Sequence, residues 1–238
     1  MNKIICGALL LFACVSAPSW AQRSKMQVVP TEPFDSIEIS GSADVRFTQG
    51  PTDQVMMRGG EDALRDKVFE VRNRTLRIGL SGAWRFWDAD KTRIEVQARD
   101  LTRVTISGAG DFRAPAAVRA GELTVVISGA GSARFDQLDA EKLTFQIAGA
   151  GDGHVAGSTK DLALKISGHG EFRGDDLRTE RGDISVSGVG EARVWAVQEL
   201  RIAVSGAAQI DYWGTPTIKR SVSGAAKINE RGARSVAR

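Results

Sequence analysis

Cysteine is almost missing from this 238-residue chain, which has two, Cys6 and Cys14, both close to the N-terminus. A mature chain starting near Gln22 would have none, and so no disulfide scaffold, thiolate nucleophile or zinc–thiolate site. Histidine is nearly as scarce: His154 and His169 are the only two. A zinc site needs three or four converging ligands, so both read as ordinary surface histidines. After the N-terminal segment no apolar run reaches the ~20 residues of a membrane-crossing helix. There is no nucleophile elbow, no His-Glu zinc helix and no Walker loop. Nor does one sign of charge dominate. The 32 Lys and Arg face 29 Asp and Glu and are interleaved with them, so nucleic acid would find no basic stripe to bind.

The N-terminus has the layout of an export signal. Lys3 supplies a positive charge, Ile4 to Val15 an apolar stretch, and Ser19-Trp20-Ala21 a small-x-small cleavage site. Residues 1–21 are therefore expected to be a signal peptide, with the rest delivered to the periplasm or cell envelope. A competing pattern is Leu11-Phe12-Ala13-Cys14, a lipobox with an awkward Phe12. It would make Cys14 a lipid anchor and the protein an outer-membrane lipoprotein.

Glycine is plentiful, at 26 residues, and regularly placed rather than clustered, which argues against a disordered linker. A block recurs seven times: ISGAGDFRA from Ile106, ISGAGSARF from Ile127, IAGAGDGHV from Ile147, ISGHGEFRG from Ile166, VSGVGEARV from Val186, VSGAAQIDY from Val204 and VSGAAKINE from Val222. The leading glycines, Gly108, Gly129, Gly149, Gly168, Gly188, Gly206 and Gly224, are 21, 20, 19, 20, 18 and 18 residues apart. That period fits one coil of a three-sided parallel β-helix. Period-2 alternation flanks the glycines, as in Leu123, Val125 and Ile127 before a bend. After each bend, the positions four and six past the glycine hold Phe112 and Ala114, Ala133 and Phe135, Gly153 and Val155, Phe172 and Gly174, Ala192 and Val194, and Ile210 and Tyr212. Except in the last pair, a large residue is matched with a small one. Such an exchange keeps the volume of each layer nearly constant, which points these side chains inward.

The positions between them face out and are charged in rows. Asp111, Ser132, Asp152, Glu171 and Glu191 form one row, and Arg113, Arg134, His154, Arg173 and Arg193 the next. Stacked coils bring equivalent residues to about 4.8 Å. An acidic column beside a basic one relieves the repulsion within each and reads as a solvated ion-pair lattice rather than a ligand groove. The glycine bends are expected to need positive φ or close backbone approach. They should be looser where the second glycine becomes Ala208 and Ala226.

Residues 28–100 alternate less regularly, and a single helical turn is expected over Glu61 to Asp66. SGSADVRF from Ser40 echoes SGAGDFRA from Ser107, so the coil scheme should begin there with longer insertions. The expected organisation is one solenoid domain over 22–238, irregular over 28–100 and regular over 101–230, with no separate hydrophobic domain. FDSIEISGSADVRFTQG, then VFEVRNRTLRIGL, then DLTRVTISGAGDF, followed by the serial SGAG coils, resembles the bacterial family described as "putative autotransporter adhesin, head GIN domain", a domain of unknown function. The resemblance covers roughly residues 28–230. It implies an all-β, right-handed parallel β-helix in an exported or lipoprotein setting, and carries over no catalytic residue.

GHGEFRG, Gly168 to Gly174, mimics a dinucleotide-binding loop, but strand-forming residues follow it where a helix is required. GAGD at Gly108 and Gly149 lacks the nine-residue period of calcium-binding β-rolls. No metal, cofactor or catalytic residue is therefore assigned. Trp84-Arg85-Phe86-Trp87 concentrates three aromatics in a chain with few, between two expected strands. Trp84, Phe86 and Trp87 could cap the core, mediate self-association or contact a ligand. The expected function is non-catalytic: an envelope protein whose rigid surface binds or adheres to a glycan or another envelope protein. The alternative is a lyase-like β-helix acting on polysaccharide with Asp111, Asp152 and Arg113.

Overall fold

The computed structural model describes residues 26–58, 69–79 and 93–234. The export segment with both cysteines, the turn expected at Glu61 to Asp66, and Trp84, Phe86 and Trp87 lie outside them. The described residues form strands and no helix, and none of them makes a helix long and apolar enough to cross a membrane. In chain order the strands are β1 (Met26–Pro30), β2 (Ser36–Ile39), β3 (Asp44–Gln49), β4 (Gln54–Arg58), β5 (Phe69–Arg72), β6 (Thr75–Ile78), β7 (Arg93–Ala98) and β8 (Arg103–Ile106). They continue with β9 (Asp111–Ile127), β10 (Ser132–Ile147), β11 (Asp152–Ile166), β12 (His169–Val186), β13 (Val189–Val204), β14 (Ala207–Trp213), β15 (Thr217–Val222) and β16 (Ala225–Glu230).

From β9 onward each strand pairs in parallel with the strand one coil away, as a parallel β-solenoid requires. Three interruptions divide each coil into three faces. The first is the glycine bend. The second is a register shift, seen between Phe135 and Gln137 where β10 meets β9. The third is a position that drops out of pairing, such as Glu141 between Ala140 and Lys142.

Inward positions carry the core. Phe112, Phe135 and Phe172 are fully buried, as their alternation requires. Large and small residues interlock between coils as well as within them: Phe112 lies in register with Ala133, and Ala114 with Phe135. The rings meet at 5.3 Å between Phe112 and Phe135 and at 5.0 Å, edge to face, between Phe145 and Phe172. Gly153 makes room for this second pair, since a Cβ there would lie 2.6 Å from Phe145 Cζ. Burying each such ring is worth roughly 1.5–3 kcal/mol.

The glycine bends are required by close approach, not by positive φ. A Cβ on Gly129, Gly149 or Gly206 would lie 2.0, 2.0 or 1.9 Å from the carbonyl oxygen of the glycine stacked against it. The second glycines meet a side chain as well as the stacked backbone: Gly110, Gly131, Gly151 and Gly170 sit against Cγ2 of Ile39, Ile106, Ile127 and Ile147, and a Cβ on Gly131 would lie closer still to the Gly110 oxygen. The bends containing Ala208 and Ala226 are no looser than the others. Their inter-coil bonds, Ala207 N–H to Gly188 and Ala225 N–H to Gly206, are both 2.9 Å. At the corresponding positions before the bends these two coils follow, the chain has Val186 and Val204 in place of isoleucine.

The N-terminal part stacks on this scheme, but out of chain order. Gly41 lies against Gly108, and Asp44, Val45 and Arg46 pair with Asp111, Phe112 and Arg113, so the echo around Ser40 marks a true coil. That coil, β2–β3, is held between β6–β7 on one side and β8–β9 on the other. The outermost layer is then edged by antiparallel strands: β4 on β7, β1 on β4, and β5 on β6. The β5–β6 turn places Asn73 and Arg74 at φ 51° and 58°, the left-handed pair of a two-residue hairpin. Arg74 is held there by Asp35, at 2.7 Å, and its carbonyl accepts from the N–H groups of Asp35 and Ser36.

Candidate functional surface

Strand alternation after each bend sets the outward residues, and parallel stacking aligns them. Asp111, Ser132, Asp152, Glu171 and Glu191 stand in direct register, as do Arg113, Arg134, His154, Arg173 and Arg193. Both columns start one coil earlier than the repeat suggested, at Asp44 and Arg46, and run on to Gln209 and Asp211. The ion pairs run mainly along each strand. Arg173 donates to Glu171 at 2.6 and 2.7 Å, and Arg193 to Glu191 at 2.9 Å. Between coils, Ser132 donates to Asp111 at 2.6 Å and Arg193 approaches Glu171 at 3.7 Å. The Arg173 guanidinium holds the Glu171 carboxyl below its ordinary range. Burial, helped by Arg134, pushes the His154 imidazole down and keeps it neutral near pH 7. Exposed pairs of this kind contribute about 0.2–1 kcal/mol each. Their larger effect is geometric, since they hold charged groups at a fixed repeat.

A second ladder escaped the sequence reading. Glu122, Lys142, Asp161, Arg181 and Glu199 are in register from coil to coil and alternate in sign. Arg181 donates to Asp161 at 2.6 and 2.8 Å and holds its carboxyl below the usual carboxylate range. Lys142 reaches Glu122 at 4.0 Å, and Lys219 closes the row on Glu199 at 3.2 Å. The signal was available, because these residues recur at 20, 19, 20 and 18 positions, the same period as the glycines.

The concave features are shallow. A trough of about 740 Å³ crosses the later glycine bends, floored by Ala207, Ala208 and Ala225 and edged by Glu191, Gln209 and Lys227. Another of about 560 Å³ lies at a corner among Arg119, Asp139, Glu141, Ser158, Lys160 and Arg178. His169 lines the trough while His154 stands in the arginine column, so the two histidines are not brought together. Among the described residues no group of three His, Cys, Asp or Glu could hold a metal ion. Of the residues in the polysaccharide reading, Asp111 and Asp152 share one column with Ser132 between them, and Arg113 stands in the other. Trp84, Phe86 and Trp87 fall in the connection between β6 and β7. The same connection in the next coil, between β2 and β3, is the short bend from Ser40 to Ala43.

The sequence profile of a family described as "putative auto-transporter adhesin, head GIN domain" matches residues 33–216. Among solved structures, a "putative adhesin" from Bacteroides fragilis is similar, with a TM-score of 0.80 and 22% identity over 88% of this chain and 98% of that one. A "putative adhesin" from Parabacteroides distasonis has a TM-score of 0.66 and 22% identity, covering 87% and 96% of the two chains. A "putative lipid binding protein" from the same species has a TM-score of 0.62 and 19% identity, over 87% and 96%. At these identities the likeness is one of fold. No curated protein matches the chain.

Proposed function

The chain belongs to the family described as "putative auto-transporter adhesin, head GIN domain", and from that premise we propose that it is a non-catalytic, exported cell-envelope protein whose solenoid presents a surface for adhesion. The observation that carries this reading is the pair of outward columns that begin at Asp44 and Arg46 and stay in register through Glu191 and Arg193. They form a long, regularly spaced array of mostly charged side chains. An array of this kind suits an extended partner with its own repeat, such as a glycan or the surface of another envelope protein, better than a small molecule enclosed in a pocket. The ion pairs within the array keep its side chains ordered before contact, which lowers the entropic cost of binding.

The aromatic residues Trp84, Phe86 and Trp87 are proposed as an anchoring contact, since large rigid aromatics dominate binding energy at interfaces. Affinity capture from envelope extract tests both parts. Trp84→Ala with Trp87→Ala should weaken capture of the wild-type partner at least about tenfold while the melting temperature stays within a few degrees. Unchanged capture would remove the segment from the binding surface. Release of reducing or unsaturated ends from a panel of acidic and neutral polysaccharides would replace adhesion by catalysis.

A further inference from the structure

The two ends of the solenoid are finished differently. Among the described residues, β15 pairs only with β13 and β16 only with β14, so each leaves one edge without a strand there. Ile218, Ala226 and Ile228 pack on the core there but stay partly exposed, and Val222 is 45% exposed. An open, partly apolar edge of this kind is a template on which another chain can add strands.

Two inward positions of this coil break the apolar pattern that Ile218, Val222, Ala226 and Ile228 continue. One inward column runs through Val104, Val125, Phe145, Leu164, Ile184 and Ile202, each no more than 2% exposed. The next residue in register is Arg220. Another runs through Gly174, Val194 and Tyr212, and the next in register is Glu230. Both charges bear on one phenol: Tyr212 donates to Glu230 at 3.1 Å, and the Arg220 charge acts on it in the opposite sense. The outward positions of the same strands hold exposed Lys219 and Lys227, the second closing the column of Glu171, Glu191 and Gln209.

Stacking a further coil, from this chain or another copy, would strip water from Arg220 and Glu230. It would also set two rows of edge lysine against each other. Burying a charged group forfeits its hydration, and pairing in the interior returns only part of that loss. We infer that the last coil is a stop, in which Arg220 and Glu230 at core positions, with Lys219 and Lys227 on the edges, keep this end of the solenoid from docking onto a second copy of the chain. Inward-pointing charges and edge lysines protect open sheets in this way.

Light scattering on the eluting full-length protein tests this inference. Wild type should run as a monomer. Arg220→Ile with Glu230→Val, which restores the apolar column, should elute with a mass at least about twice the wild-type value, as an end-to-end pair. Thr144→Ile with Gln146→Val, which adds the same side chains at outward positions of β10 in an interior coil, should leave the mass unchanged. Three results would overturn the stop: a folded, monomeric Ile/Val end variant, a control variant that associates equally, or amine cross-links between Lys227 residues of two wild-type copies. Should the Ile/Val end variant lose its β-sheet circular dichroism, threonine at both positions keeps strand propensity without charge. Sedimentation equilibrium of that variant decides the matter in the same direction: self-association supports the stop, and a strict monomer overturns it.

Discussion

A methyl group on Gly149 would overlap the backbone of the neighbouring coil, 2.0 Å from the Gly129 oxygen, and no rotamer change can relieve it. Gly149→Ala should therefore cost at least about 2 kcal/mol, in the upper half of the range for point substitutions. Gly121→Ala, where nothing lies within 4 Å of the added carbon, should stay within about 0.5 kcal/mol of wild type. Urea denaturation of the two variants checks the difference, and equal midpoints would mean that the close approach at the bend is not what selects glycine. The periodic glycines were plain in the sequence, but their reason was not. Positive φ and close approach select the same residue, and only the stacked backbone separates them. The alanines at 208 and 226 looked like weak points for a related reason. Their inter-coil bonds, from Ala207 and Ala225 to the glycine carbonyls of the coil before, are as short as those at the glycine bends.

Among the strands, β12 and β13 show how far a layer can be rewritten. Phe172 and Gly174 in β12 are in register with Ala192 and Val194 in β13, the same two positions with large and small exchanged. A Cβ on Gly174 would lie 2.5 Å from Phe172 Cε1, so the glycine exists to admit the ring. Phe172→Ala alone should lose about 3–5 kcal/mol. Adding Gly174→Val, which converts β12 to the pattern of β13, should recover about 1 kcal/mol or more through coupling between touching sites. A double-mutant cycle measures this, and strict additivity would show that the two positions do not share one volume. This exchange was legible because it occurs within a few residues of one strand. The Glu122 to Glu199 ladder obeys an equally regular rule and was overlooked, since its alternation of sign appears only when residues a full coil apart are set side by side.

At the scale of the molecule, stability should grade along the solenoid axis, because each coil touches only its neighbours. The interior strands β10 and β11 are paired on both sides, whereas β15 and β16 are paired on one. Hydrogen exchange should then be faster in β15 and β16, as in the other edge strands β1 and β5, than in β10 and β11, and uniform protection from end to end would show a single cooperative unit instead. The regular coils from β9 onward were readable from their spacing. The layering of β2–β3, β6–β7 and β8–β9 was not, because alternation tells which face a strand buries and says nothing of which neighbour it chooses. That layering also bears on the order of manufacture. The segment from Ser36 to Gln49 leaves the ribosome ahead of both layers that will enclose it, so this coil has to wait, its two sheet edges bare, until residues as far along as Arg113 have followed it out.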